Sequence, residues 1–315
     1  MRSTDRPTTL TMRSSSPLPL SFLFSVILGI RGQTPCPAPG DITPCICIHF
    51  EEYDEIFVDC SGAPTSEDIA SAFHDATWPF TLISQFVMYD NKAVDELPSG
   101  VFGDISFQRV FIDRTIMETV HPTFMHSSLN DLRMLRIMSS SLQRLPWEIL
   151  PQFAVLQFLD LRNNSMTNVP AIESASLEKL FLYDNNITSL KGGWSTPNLI
   201  MLKMNGNPIT QFPDGFFQTL DKLVEFWCIS CNLGPTLATG SLAFYSDALE
   251  YVALDLNSIS SLEPGAIAGL ISSTVLDLRS NAIVTLPESS FRPILEVLVL
   301  GTGSINLAGE LLPSC

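Results

Sequence analysis

The chain is short of basic charge, of histidine and of long apolar runs. It carries 17 Lys and Arg against 33 Asp and Glu, a formal net charge of −16. Such acidity argues against a nucleic acid or an anionic membrane surface as partner, because both need cations to neutralise phosphate. The four histidines are His49, His74, His121 and His126, and the last two stand five apart, the wrong spacing for two ligands on one helical face. No HExxH, GxSxG, phosphate-loop or dinucleotide-binding glycine pattern occurs. Without a nucleophile, base and oxyanion donors in one constellation, no enzymatic activity, cofactor or metal is expected. Beyond Ile30 no apolar stretch reaches the ~20 residues that span a bilayer, so no membrane span is expected in the mature chain.

What the chain has in abundance is a repeat. LQFLDLRNNSM at Leu156–Met166 is the clearest copy, with apolar residues at positions 0, 3, 5 and 10 and asparagine at position 8. Further copies start at Leu177, Leu199, Leu249 and Ser273, and degenerate ones at Ile83, Phe107, Leu132, Leu223 and Leu295. The mean period of about 24 residues is that of a leucine-rich repeat. Alternate apolar residues suit a strand with one buried face. The asparagine suits a turn whose backbone groups need partners. One turn cannot bury its own apolar side, but stacked turns share a core. The fold class expected is therefore a leucine-rich-repeat solenoid of about ten repeats over residues 81–306, with a parallel β-sheet on its concave face. Many copies continue with Leu-Pro or Val-Pro and often a phenylalanine, as in Leu97-Pro98 with Phe102, Phe212-Pro213 with Phe216 and Leu286-Pro287 with Phe291. Proline gives up a donor, so this convex limb is expected to be irregular or shortly helical, not a paired strand, with the phenylalanine stacked inside.

The first 32 residues read as an export signal. Arg2, Arg6 and Arg13 precede the apolar run Leu18–Ile30. A secreted, extracellular product is expected. Cysteine usage agrees with export. Cys36, Cys45, Cys47 and Cys60 cluster within residues 33–80, where a disulfide-stapled cap would cover the exposed end of the solenoid. Four cysteines allow three pairings and sequence does not choose among them. Cys228 and Cys231 form a CxxC at positions 5 and 8 of the copy beginning at Leu223, both inward, and are read as core thiols or one local disulfide. Residues 307–315, ending in Cys315, are expected to form a short or truncated C-terminal cap. Asn163 and Asn186 head N-glycosylation sequons.

Outward strand positions are 1, 2, 4, 6 and 7. Loss of residues 1–32 removes four basic residues and one acid, leaving 13 Lys and Arg against 32 Asp and Glu. Outward positions hold eight of those 13 basic residues, among only 50 of 283 sites, so cations concentrate on the concave sheet. The same positions carry large apolar and aromatic groups. Aromatic, methionine and arginine enrichment is the composition of interface hot spots. The partner-binding patch expected is Arg136, Phe158, Arg162, Phe181, Tyr183, Lys203 and Trp227, facing a protein with acidic and apolar features. Asp160, Asp255 and Asp277 also lie on these strands, where they are expected to balance neighbouring arginines.

The cap sequence CPAPGDITPCICI, the acidic stretch EEYDEIFVDCSG after it and DIASAF beyond resemble a group of arthropod secreted leucine-rich-repeat proteins related to the non-catalytic subunit of oplophorus-luciferin 2-monooxygenase. The resemblance covers the cap and the irregular repeats. It implies a non-catalytic accessory or scaffold subunit that accompanies a small, separate catalytic subunit, with no catalytic residues of its own. Two alternatives stand beside it: the ectodomain of an adhesion or receptor protein, and an innate-immune pattern-binding protein.

Overall fold

The computed structural model describes residues 35–309; residues 1–32 and Cys315, read above as export signal and terminal cysteine, lie outside the described residues. One twelve-stranded sheet runs the length of the molecule, its strands adjacent in chain order. Its strands are β1 (Ile46–Phe50), β2 (Glu55–Asp59), β3 (Leu82–Tyr89), β4 (Ser106–Asp113), β5 (Met134–Met138), β6 (Phe158–Asp160), β7 (Lys179–Phe181), β8 (Met201–Lys203), β9 (Glu225–Trp227), β10 (Tyr251–Ala253), β11 (Val275–Asp277) and β12 (Ser304–Asn306). A helix, α1 (Ser66–His74), lies between β2 and β3, and a second, α2 (Glu288–Leu298), between β11 and β12. Only β1 and β2 pair antiparallel; every other neighbour is parallel, as the expected solenoid requires.

The register is that of the repeat. Position 3 aligns across nine copies, from Phe86 through Val110, Leu135, Leu159, Leu180, Leu202, Phe226 and Val252 to Leu276. All nine are buried, so each strand sends alternate side chains into the shared core. The turn asparagines tie one copy to the previous one. Asn207 donates through Nδ2 to the carbonyls of Met204 in its own turn (2.8 Å) and Leu182 in the preceding one (2.9 Å), and its Oδ1 accepts from the Ile187 amide (3.0 Å). Asn164, Asn185, Asn257 and Asn281 repeat the pattern. A buried amide that satisfies three backbone groups at once is why asparagine holds position 8.

The tenth copy departs from the sequence frame. A start at Leu295 places Leu295, Leu298 and Leu300 in the core, yet Leu295 and Leu300 are 49% and 79% exposed, and α2 runs through Glu288–Leu298. Ile305 is the residue that aligns with Leu276, so the true copy starts at Thr302. A 0, 3 spacing of leucines also fits a helix, and α2 buries Phe291, Ile294 and Leu298 on one side.

The convex limb also needs a correction. Glu96–Leu97 pairs in parallel with Thr119–Val120, and Asn168–Val169 with Ser189–Leu190. At these two limbs the residue before the proline is therefore a paired one, whereas Phe212 and Leu286 stand in no strand, as expected; pairing ends at the proline itself, which has no N–H to give. Beyond it come short 3-10 turns at Trp147–Gln152 and Phe216–Thr219. The limb phenylalanines Phe102, Phe216 and Phe291 are buried, and Phe102 and Phe216 meet inward strand or limb rings at 4.9 Å.

At the N-terminal end, Cys36 pairs with Cys47 and Cys45 with Cys60, choosing one of the three connectivities. Cys47 lies on β1, and Cys60 directly follows β2, so both bonds staple the antiparallel hairpin that begins the sheet. Cys228 and Cys231 are disulfide-bonded and fully buried, the local-disulfide alternative for the CxxC.

Candidate concave binding surface

The seven residues of the expected patch lie on β5–β9 or one to two residues beyond them, and all are half-buried. None is sealed in the core. Rings and cations alternate along the sheet. The Arg136 guanidinium carbon lies 5.2 Å from the Phe111 ring centroid and 4.8 Å from that of Phe158. Phe158 meets Phe181 edge-on at 4.7 Å. The Lys203 ammonium sits 5.3 Å from Phe181 and 4.2 Å from Trp227. Trp227 then meets Tyr251 at 4.9 Å, and the Tyr251 hydroxyl donates to Asp277 Oδ2 at 3.1 Å. The track crosses β4 to β11, which places Phe111 and Tyr251, outside the expected seven, inside the same surface.

Arg162 and Tyr183 form a branch off this track. The Arg162 guanidinium donates to the Tyr183 hydroxyl and lies 5.6 Å over the same ring. Beneath the branch, Asp160 is 1% exposed. Its Oδ2 lies 3.7 Å from Arg162 Nε and 4.0 Å from Arg136 Nε, an ion pair on each side. Burial pushes the Asp160 carboxyl above the ordinary carboxylate range, against the pull of the Arg162 charge. Asp277, in the equivalent position five strands along the sheet, behaves differently. Burial opposes its charge too, but hydrogen bonds from the Arg279 side chain, the Arg279 amide and Tyr251 hold its carboxyl below the usual range. Both aspartates thus balance arginines. Asp255 does not: among the described residues it makes no ion pair, its Oδ1 is buried without a hydrogen bond, and burial raises its pKa.

The cap hairpin extends the surface beyond the expected repeats. Ile48 stands opposite Phe57 in the antiparallel register, and opposed residues share a face. Phe57 stands level with the concave Gln85 of β3. Ile46, Ile48 and Phe50 are therefore concave residues, and they are 60%, 44% and 42% exposed. Phe50 packs on Phe57 at 4.8 Å, and Arg109 lies 5.9 Å from Phe57 while pairing with Glu55 at 2.8 Å. The sole signal available was the fit of Val58 and Cys60 to positions 3 and 5 of a frame beginning at Glu55.

The sequon asparagines Asn163 and Asn186 are both exposed, on adjacent turns at the asparagine edge of the sheet. Three of the four histidines have structural partners: His74 shares a hydrogen bond with the Gly100 carbonyl, His49 with Asp54 and His121 with Thr123.

No protein-family model matches the chain. It is 28% identical over 280 residues to the oplophorus-luciferin 2-monooxygenase non-catalytic subunit of Oplophorus gracilirostris, a match covering 87% of this chain and 70% of that protein. It is 31% identical over 174 residues to leucine-rich repeats and immunoglobulin-like domains protein 3 of Homo sapiens, covering 52% of this chain and 15% of the human protein. Its fold superposes on a leucine-rich-repeat protein of Leptospira interrogans with a TM-score of 0.54 at 19% identity, covering 79% of this chain and 58% of that one. At that identity the likeness speaks for the fold alone.

Proposed function

We propose that this leucine-rich-repeat protein, related to a non-catalytic luciferase subunit, is a secreted, non-enzymatic accessory or scaffold chain that captures a protein partner on its concave face. The observation that carries the reading is the half-buried track Phe111–Arg136–Phe158–Phe181–Lys203–Trp227–Tyr251, in which each cation is clasped between two rings. Such clasping fixes long side chains before a partner arrives, so little rotamer entropy is left to lose on binding. Arginine, tryptophan and tyrosine held this way are the residues that dominate interface energies. Export is supported by the two cap disulfides, which need an oxidising compartment. No helix among the described residues is long and apolar enough to cross a membrane. A small catalytic subunit is the sharper form of the partner, carried over from the printed name of the Oplophorus relative. Glycans on Asn163 and Asn186 would shield the asparagine edge and leave the opposite edge for approach.

The test is crosslinking of the tagged, secreted chain to its co-secreted proteins, followed by mass spectrometry. Arg136→Glu and Trp227→Ala are expected to weaken capture about tenfold or more while secretion stays normal. Arg144→Glu, at an exposed site off the track, serves as control. Capture unchanged by either concave substitution overturns the reading. A second reading, the ectodomain of an adhesion or receptor protein, draws on the 31% identity with the human repeat protein; a transcript continuing past Cys315 into an apolar span would favour it.

A further inference from the structure

The concave face changes charge sign along its length. Its cations Arg109, Arg133, Arg136, Arg162, Lys179 and Lys203 lie on β4–β8 or beside them, whereas β9–β11 and their flanks bring Glu225, Glu250, Asp255 and Asp277 against Arg279 alone. Where the sign changes, Glu225, Trp227, Glu250, Tyr251, Val275 and Thr302 line an open cavity of about 580 Å³. Several concave carboxylates elsewhere are neutralised: Glu55 by Arg109, Asp113 by Arg114, Asp160 by Arg136 and Arg162, and Asp277 by Arg279. Among the described residues, Glu225 and Glu250 have no ion-pair partner. Glu225 accepts only the Trp227 indole N–H, at 2.8 Å, which fixes the indole beside the carboxylate and leaves the second oxygen open.

We infer that this cavity is a receptor for a cationic side chain, a lysine or arginine of the protein partner, with the Glu225 and Glu250 carboxylates meeting the charge and the Trp227 and Tyr251 rings meeting the stem. Ring walls and carboxylates together are the chemistry that selects an ammonium or guanidinium group over a neutral one. The molecule supplies its own precedent, since Trp227 already takes the Lys203 ammonium at 4.2 Å. The partner fitted by the whole face is therefore bipolar: acidic and apolar over β4–β8, with a basic residue reaching the cavity at β9–β11.

The inference rests on the concave face being the binding face, and its test reads the cavity alone. The tetrapeptide acetyl-Gly-Lys-Lys-Gly-amide, and the same peptide with norleucine for both lysines, are titrated into the full chain labelled with nitrogen-15. The Trp227 indole N–H resonance, identified by its loss in Trp227→Phe, is followed. It is expected to shift saturably with the lysine peptide and to stay in place with the norleucine one. Glu225→Gln with Glu250→Gln, which keeps an acceptor for the indole, is expected to weaken the lysine peptide about tenfold. A resonance that does not move, that moves equally for both peptides, or that saturates with undiminished affinity in the double variant overturns the inference. An unmoved resonance with partner capture still lost in Arg136→Glu overturns the cavity and leaves the proposed function standing. The opposite pair of results overturns the proposed function and leaves the cavity.

Discussion

Position 7 of the repeat shows how a side chain's identity yields to its neighbours. Asp90, Arg114, Ser139, Asn163, Asp184, Gly206, Ser230, Leu256, Ser280 and Gly309 all have positive φ, between 47° and 85°. Each of the first nine donates its amide to the position-6 carbonyl of the next turn, as Asp184 does to Asn205 at 2.8 Å and Leu256 to Arg279 at 3.1 Å. A hydrogen bond between turns thus holds a backbone conformation that costs most L-residues about 1–2 kcal/mol. Only the glycines announce this in sequence, which is why the left-handed step was illegible while the asparagine beside it was plain. At Gly206 an added Cβ would also stand 2.5 Å from Asp184 Oδ1. Gly206→Ala is accordingly expected to cost about 1–2 kcal/mol in urea denaturation, and Leu256→Gly to lie between no change and a gain of about 1 kcal/mol. A neutral Gly206→Ala would contradict the account. The paired aspartates carry a second expectation. Asp160, with its pKa raised, loses folded-state stability as pH climbs from the ordinary carboxylate range through its own pKa. Asp277, with its pKa lowered, contributes stability above that range and loses it as pH falls. Carboxyl carbon-13 titration should place the two midpoints on opposite sides of the ordinary value, and coincident midpoints would refute the contrast.

Among the elements, the strands of the central copies were legible because three signals agree there: inward leucines, a turn asparagine and a fixed period. The last turn carried only one. Leu295, Leu298 and Leu300 imitate positions 0, 3 and 5, but position 8 would be Gly303, which offers no amide side chain to the backbone. Phe291 and Ile294, at helical spacing from Leu298, tip the segment into α2, and the strand waits until Ser304. The two frames make opposite forecasts for single residues. In the structure Leu298 is buried and Leu300 is not. Leu298→Ala should cost about 2–4 kcal/mol, whereas Leu300→Ser should stay within about 0.5 kcal/mol. Equal losses in thermal denaturation would restore the frame beginning at Leu295. The candidate surface was half-legible for a related reason. Outward positions name the residues that can reach the concave side, so Arg136, Lys203 and Trp227 were visible. The pairing of β1 with β2, which turns Ile46, Ile48 and Phe50 to that side, depends on an antiparallel register with no repeat signal in it.

For the molecule as a whole, each turn touches only its neighbours, so stability is a sum of local couplings rather than of one global core. Among the described residues the N-terminal hairpin is one of the two ends of the sheet, and it carries two covalent staples. The Cys45–Cys60 bond closes a span of 15 residues, worth about 3 kcal/mol by loop entropy. With Cys45→Ser and Cys60→Ser together, hydrogen exchange should quicken over β1–β3 while β6–β9 keep their protection. Uniform loss along the sheet would show a single cooperative unit instead. The nearest-neighbour order of the strands has one more consequence. A sheet that adds one rung per copy works as a graduated scale with steps of about 4.8 Å, so excising or duplicating one whole period, such as residues 177–198, would shorten or lengthen the distance between Arg136 and the Glu225–Glu250 cavity by one graduation, and would retune which spacing of charges a visiting chain must carry.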